Sequence, residues 1–255
     1  MKHVVFYSGG LGSWATAMRI RETIPNKDIL LLFTDTLMED EDLYRFLEET
    51  SSSMGIELLT IADGRTPWQI FKDEQFLGNS RVDPCSKILK RNIARRWIKK
   101  NYKPEDCILY LGIEWSEIHR WERAKEKWLP YTMKAPLCEP PYLDKLQIIK
   151  ALKSEGIGIP RLYQMGFPHN NCGGFCIKAG LSHFRLLLKE MPERYRYHEK
   201  KEEELREFFG KDVTILRRQR NGEREYITLK AFRESIEKEP KQPELFDWGG
   251  CGCFL

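Results

Sequence analysis

Short apolar runs punctuate the first half of the chain, and segments of helical periodicity separate them. Val4-Val5-Phe6-Tyr7, Ile29–Phe33, Glu57–Ile61 and Cys107–Leu111 have the length and composition of buried strands. Helix-like stretches fall between them: Trp14–Ile20, an acidic segment from Glu39 to about Ser53, and a basic one over residues 85–100. The succession βαβαβ predicts an α/β fold with a doubly wound, mostly parallel five-stranded sheet. From Gly64 to Asp83 the pattern weakens into short amphipathic pieces. Further on, helices are predicted from Asp144 to Glu155, from about Ala179 to Met191 and from Pro192 to Phe209. Val213–Leu216 and Tyr226–Leu229, around Asn221-Gly222, read as a β-hairpin whose turn is extended by charged residues. A last helix over Leu229–Glu237 leads, past Pro240 and Pro243, to the tail Gly249-Gly250-Cys251-Gly252-Cys253. The expected organisation is a sheet domain over residues 1–180 and a helical and hairpin extension over 181–255.

The junction between the first strand and first helix carries the densest chemical signal. Ser8-Gly9-Gly10-Leu11-Gly12-Ser13 places three glycines and two serines where a strand turns into a helix. Such a turn aims backbone N–H groups and a helix N-terminus at an anion, and glycine lets the backbone approach phosphate oxygens closely. Walker loops end in Lys-Ser/Thr, which is missing, and the glycine spacing does not fit G-x-G-x-x-G. Asp35, at the end of the second strand, is placed near the same ligand, since open parallel sheets bind beyond their strands' carboxyl ends; helix capping is the competing job for it. The polar segment after the fourth strand offers Glu117, His119, Arg120 and Arg123, with Arg120 the preferred anion binder because of its forked guanidinium.

A net charge of +4 does not by itself call for nucleic acid. Charge is uneven, however: Lys87, Lys90, Arg91, Arg95, Arg96, Lys99 and Lys100 crowd the segment 85–100, a solvated helix face or a surface for a phosphate backbone. No apolar run approaches the length of roughly 18 residues that spans a membrane. No secretory leader is in view, so a cytoplasmic location and no membrane partner are expected. Seven cysteines in that setting point to metal rather than disulfides. Cys172 and Cys176 form C-x3-C, Cys251 and Cys253 form C-x-C, and Cys85 opens the basic helix, where a helix N-terminus lowers a thiol's pKa. Cys107 and Cys138 read as small buried hydrophobes. Four thiolates suit zinc or an iron–sulfur cluster, and zinc's usual C-x2-C knuckle is absent.

The Ser8–Ser13 turn resembles the SGGxDS pyrophosphate loop of the adenine nucleotide alpha hydrolase (PP-loop) superfamily, with Gly12 where that pattern often has Asp. Further pieces follow in the order of the PAPS reductase family: Asp35-Thr36 with Glu39; Cys85 with Lys90, as in C-x-x-x-x-K; Gly112-Ile113 with Glu117 and Arg120, as in G-I-R-x-x-E-x-x-R. Next come Pro136-Leu137, then Ile159-Pro160 through Leu162-Tyr163 to Gly166-Phe167, and finally Cys172 with Cys176. The likeness covers roughly residues 4–180. Leu37 replaces the glycine after Asp35-Thr36, and three residues rather than two separate the last cysteines. The resemblance implies ATP or a related adenine nucleotide, with Mg2+, held by Ser8, Gly9, Gly10, Gly12, Ser13 and Asp35. It implies catalytic roles for Lys90, Glu117 and Arg120. It also favours a [4Fe–4S] cluster on Cys85, Cys172 and Cys176, with Cys251 or Cys253 as a fourth ligand and zinc as the alternative. Three activities stay open: ATP-dependent sulfur transfer at the α-phosphate, reductive cleavage of adenylyl sulfate or PAPS to sulfite, and a non-catalytic nucleotide-binding cluster protein. A tRNA or DNA substrate on the basic helix, a protein donor of sulfur or electrons, and a homodimer are the further expected partners.

Overall fold

The computed structural model describes residues 1–79, 81–220 and 223–238. Five strands, β1 (Lys2–Phe6), β2 (Ile29–Asp35), β3 (Glu57–Ala62), β4 (Cys107–Tyr110) and β5 (Thr132–Lys134), form one sheet in the order β3-β2-β1-β4-β5. Every pairing in it is parallel. All seven residues of β2 are buried, which is why its sequence reads as an unbroken apolar run: helices cover both faces of a parallel sheet. Val5, Tyr7, Leu31 and Phe33 face one helical layer, while Val4, Phe6, Leu30, Leu32 and Leu109 face the other. The chain builds outward from β1 to β3 on one side and then crosses to β4 and β5 on the other. The carboxyl end of β1 is therefore the topological switch point, where such sheets bind ligands.

Local signals set the helix boundaries. The helix α1 (Leu11–Arg21) follows the glycine turn directly. Asp40 caps α2 (Glu41–Met54), accepting from the Asp42 N–H, and Gly55 closes that helix at φ 62°. Reciprocal capping boxes begin α3 (Pro67–Asp73), through Thr66 and Gln69, and later α6 (Lys145–Ser154), through Asp144 and Gln147.

The basic segment is not one regular helix. Ser86–Asn92 winds as a π-helix and only then tightens into α4 (Ile93–Asn101). The wider turn breaks the 3.6-residue register, and Lys90, expected on a charged face, lies buried while Lys87, Lys99 and Lys100 stay exposed. Beyond β4 come α5 (Ile118–Trp128), then β5, α6 and the short α7 (Arg161–Gln164).

The remaining elements are α8 (Leu181–Glu190), α9 (Pro192–Phe209), β6 (Leu216–Arg220), β7 (Glu223–Ile227) and α10 (Leu229–Lys238). The hairpin is antiparallel, as expected, and its strands share Leu216, Tyr226 and Ile227 with the expected ones, but most of their length lies in the charged stretch assigned to the turn. Cross-strand pairing explains the shift: Arg218 Nε sits 2.7 Å from Glu225 Oε2. A third core joins Trp68 and Phe71 of α3, Leu162, Phe167 and Phe175 to Phe184, Leu187, Tyr195 and Phe232, so it draws on both sides of residue 180. Glu202 of α9 ties the extension together by accepting the N–H groups of Ile215 (2.9 Å) and Leu229 (2.5 Å). No helix among the described residues is long and apolar enough to cross a membrane.

Candidate functional site

The turn after β1 is built to present donors. Gly9 takes φ +72°, and Gly10 stands at the N-cap of α1 with no side-chain cap. Helical bonding starts with Trp14 N–H to Gly10 C=O at 3.1 Å, so the N–H groups of Leu11, Gly12 and Ser13 precede it. No acidic residue of α1 itself occupies its first turn, where the positive end of the helix dipole lies. Ser13 Oγ donates to Gly10 C=O at 2.8 Å. Asn170, buried, donates to the Gly9 carbonyl at 2.8 Å and pins the turn to a distant loop.

Two glycines in contact explain why position 12 has no side chain. A Cβ on Gly12 would lie 2.7 Å from the Gly112 carbonyl oxygen, and one on Gly112 would lie 2.5 Å from the Ser13 nitrogen. Both obstacles are backbone. The start of α1 and the exit of β4 pack too closely for aspartate at 12.

A cleft of about 300 Å³ opens over this junction. Ser8, Gly10, Gly12 and Ser13 line it, as do Glu117 and Arg120, which form an ion pair with each other. Asp35 is not among its lining residues. Its carboxylate instead accepts the Leu37 N–H at 2.8 Å and the Tyr44 hydroxyl at 3.0 Å, a structural job within its own loop. His119 and Arg123 are exposed away from the cleft. Sequence reasoning missed Glu114, Lys145, Tyr163, His169 and Asn171, which also line it. Lys145 follows a capping aspartate and Tyr163 sits in the Leu162-Tyr163 pair, but only the fold brings them to Ser8. Lys145 Nζ lies 4.6 Å from the centre of the Tyr163 ring. Burial, with the Glu117 charge, raises the Glu114 pKa; burial lowers that of Lys145 against the pull of Glu114. Burial likewise lowers His169 and favours its neutral form.

The cysteines gather elsewhere. Cys85, Cys172 and Cys176 line one small apolar cavity of about 20 Å³ with Thr36, Met38 and Lys90. Lys90 thus belongs to the cysteine side rather than to the cleft. Its Nζ lies 3.2 Å from Glu39 Oε1, and both side chains are buried. Glu39 also accepts the Thr36 hydroxyl at 2.9 Å and the Cys172 N–H. Cys172 adopts φ +52°, which for a non-glycine residue costs about 1–2 kcal/mol, and Gly173 and Gly174 continue the left-handed run. Arg194 occupies the space a Cβ on Gly173 would need and donates to the carbonyls of Met38 (2.9 Å) and Glu39 (3.1 Å). Asn171 faces the cleft and Cys172 faces the cavity, so adjacent residues form a shared wall. Among the described residues no three His, Cys, Asp or Glu side chains converge closely enough to hold a metal ion. Cys251 and Cys253 lie outside the described residues. Thiolate sulfur suits iron or zinc, yet the three described thiols do not close a metal site by themselves.

On the basic segment, Arg95 donates to the Lys127 carbonyl at 2.5 Å and Arg96 lies 3.7 Å from Asp63, so part of its charge is locally engaged.

The sheet order, the Gly-Ser turn at its switch point and the helix start without a side-chain cap define a doubly wound α/β protein with an anion-ready turn. Residues 2–172 match the phosphoadenosine phosphosulfate reductase domain, and the chain belongs to that family. An uncharacterized protein of Methanocaldococcus jannaschii, MJ0066, is 26% identical over 212 residues, 82% of this chain. The match spans only 42% of that relative's length. Among solved structures, phosphoadenylyl-sulfate reductase from Candida auris, in a phosphate complex, superposes with TM-score 0.45 and 15% identity, over 64% of this chain and 78% of that one. The U34-tRNA thiolase NcsA of Methanococcus maripaludis, with its [4Fe-4S] cluster, gives TM-score 0.43 and 14% identity, over 82% and 71%. The NH3-dependent NAD synthetase of Campylobacter jejuni gives 0.42 and 11%, over 95% and 89%.

Proposed function

We propose that this protein is an ATP-dependent enzyme of sulfur chemistry that activates an acceptor at the α-phosphate and then transfers sulfur to it. The observation that carries the reading is the shared wall: Asn171 lines the phosphate-ready cleft and Cys172 the three-cysteine cavity. In the first step an acceptor oxygen attacks the α-phosphorus and pyrophosphate leaves. Charge growing on the leaving group is met by the α1 N–H groups, Arg120 and Lys145. His169, favoured in its neutral form by burial, is a base available in the cleft for the acceptor's proton. In the second step the terminal sulfur of a persulfide, loaded onto a cavity cysteine by a protein donor of sulfane sulfur, attacks the activated carbon and AMP departs. A second cavity cysteine then cleaves the mixed disulfide, giving the thiolated product and a Cys–Cys disulfide that an external thiol reductant reopens.

A [4Fe–4S] cluster on Cys85, Cys172 and Cys176, with Cys251 or Cys253, is the alternative form of the sulfur site; it would supply iron-bound sulfide or electrons. The exposed Lys87, Lys99 and Lys100 support a nucleic-acid acceptor, tRNA or DNA. Parallel assays of pyrophosphate release from ATP and sulfite release from PAPS test the reading. Acceptor-dependent pyrophosphate release without sulfite is expected. Sulfite release would replace it with reduction, and ATP binding without turnover would make the chain a nucleotide-binding partner subunit.

A further inference from the structure

The cleft holds a carboxylate that the activation chemistry above does not use. Glu114 leaves the end of β4 half-buried, and among the described residues its side chain makes no ion pair or hydrogen bond. Its Oε1 lies 3.9 Å from the point where a Cβ on Gly12 would stand. A carboxylate is thus delivered beside the phosphate-binding turn next to Gly12, where the turn has no room for its own. In the G-I-R-x-x-E-x-x-R pattern the residue after Gly112-Ile113 is arginine; this chain puts glutamate there. Lys145 is the cationic neighbour of Glu114, beyond ion-pair distance; a carboxylate beside a triphosphate still repels it, and an intervening cation makes the geometry favourable. Magnesium suits these donors, because it commonly takes one or two protein carboxylates and completes its shell with phosphate oxygens and water.

We propose that Glu114 is a ligand for the divalent cation that accompanies the nucleotide's phosphates, supplied from the exit of β4 instead of from position 12. This rests on the nucleotide reading of the cleft. Glu117, engaged with Arg120, is a neighbour of this site rather than its principal ligand.

The test is ATP affinity by equilibrium dialysis, in excess magnesium and in EDTA, for the wild type and Glu114→Gln. Binding of Mn2+ in the presence of a non-hydrolysable ATP analogue is followed in parallel by the EPR signal of free Mn2+. The variant is expected to bind the magnesium complex about tenfold or more weakly. It should bind metal-free ATP as well as the wild type or better, because a negative charge has left the cleft, and it should retain less Mn2+. Equal affinity for the magnesium complex, or equal losses with and without metal, would overturn the proposal while leaving the nucleotide cleft standing. A wild type that takes up no ATP under either condition would end both.

Discussion

Replacing Lys90 with methionine keeps most of the side chain's volume and removes its charge. The partner, Glu39, is fully buried and lies 3.2 Å away, so water cannot compensate the carboxylate without opening the core. Removing one member of a buried pair typically costs 3–5 kcal/mol. Two other donors still serve Glu39, the Thr36 hydroxyl and the Cys172 N–H, which places the expected loss at the low end, about 3 kcal/mol. For a chain of this size that corresponds to a Tm drop of roughly 6–12 °C. The double variant Lys90→Met/Glu39→Gln restores neutrality and keeps an acceptor for Cys172, so it should recover most of the loss. Urea unfolding of the wild type, both single variants and the double variant gives the coupling energy directly. A coupling below about 0.5 kcal/mol would refute the argument, because the pair would then be solvated and would not organise the Cys172 loop.

Gly112→Ala should weaken ATP binding at least about tenfold while leaving the far-UV circular dichroism unchanged, since the new methyl meets the Ser13 nitrogen at 2.5 Å and displaces the start of α1 by overpacking; unchanged affinity would contradict the close approach. Burial pushes the Glu202 carboxyl up from 4.5 to about 7. An acid whose folded pKa is raised binds more protons in the native state, so it lowers stability as pH rises from about 4.5 to about 7, by about 3 kcal/mol in all. Buried His183, lowered to about 4, acts oppositely, losing stability as pH falls below about 6.5. The difference curve between the wild type and Glu202→Gln is therefore the readout, and a flat difference between about pH 5 and about pH 8 would exclude the Glu202 effect. Cys172→Ser should reduce iron and acid-labile sulfide on anaerobically purified protein from about four each per chain to near zero if the cluster form holds; full occupancy would remove Cys172 from the ligand set.

The strands β1, β2 and β4 were legible because buried parallel strands leave uninterrupted apolar runs; β3, half-exposed at the sheet edge, was legible through Leu58, Leu59 and Ile61. β5 was not located: it has three residues and only Met133 is buried, too little for any periodicity to register. The hairpin was seen but displaced, because its pairing uses Arg218 and Glu225, residues that read as turn. No heptad or 3.6-residue count reveals a π-helix, and so Lys90 was grouped with charges it does not accompany. The phosphate turn declared itself through local composition. Glu114, Lys145, His169 and Asn171 did not, because what unites them with Ser8 is the convergence of four separate loops at one end of the sheet. Asp35 is the last residue of β2, at its carboxyl end as expected, yet its hydrogen bonds go to Leu37 and Tyr44.

The central claim is that the cleft over the start of α1 binds an adenine nucleotide. Isothermal titration of ATP into the wild type and into Gly10→Val tests it most directly. Gly10 has φ −99°, so a side chain strains no backbone there, and its Cβ would point to within 3.3 Å of the Tyr163 hydroxyl. Saturable binding by the wild type, abolished in a variant with the same circular dichroism and thermal unfolding, is the predicted result. Equal affinity in both proteins, or no binding by the wild type, would contradict it.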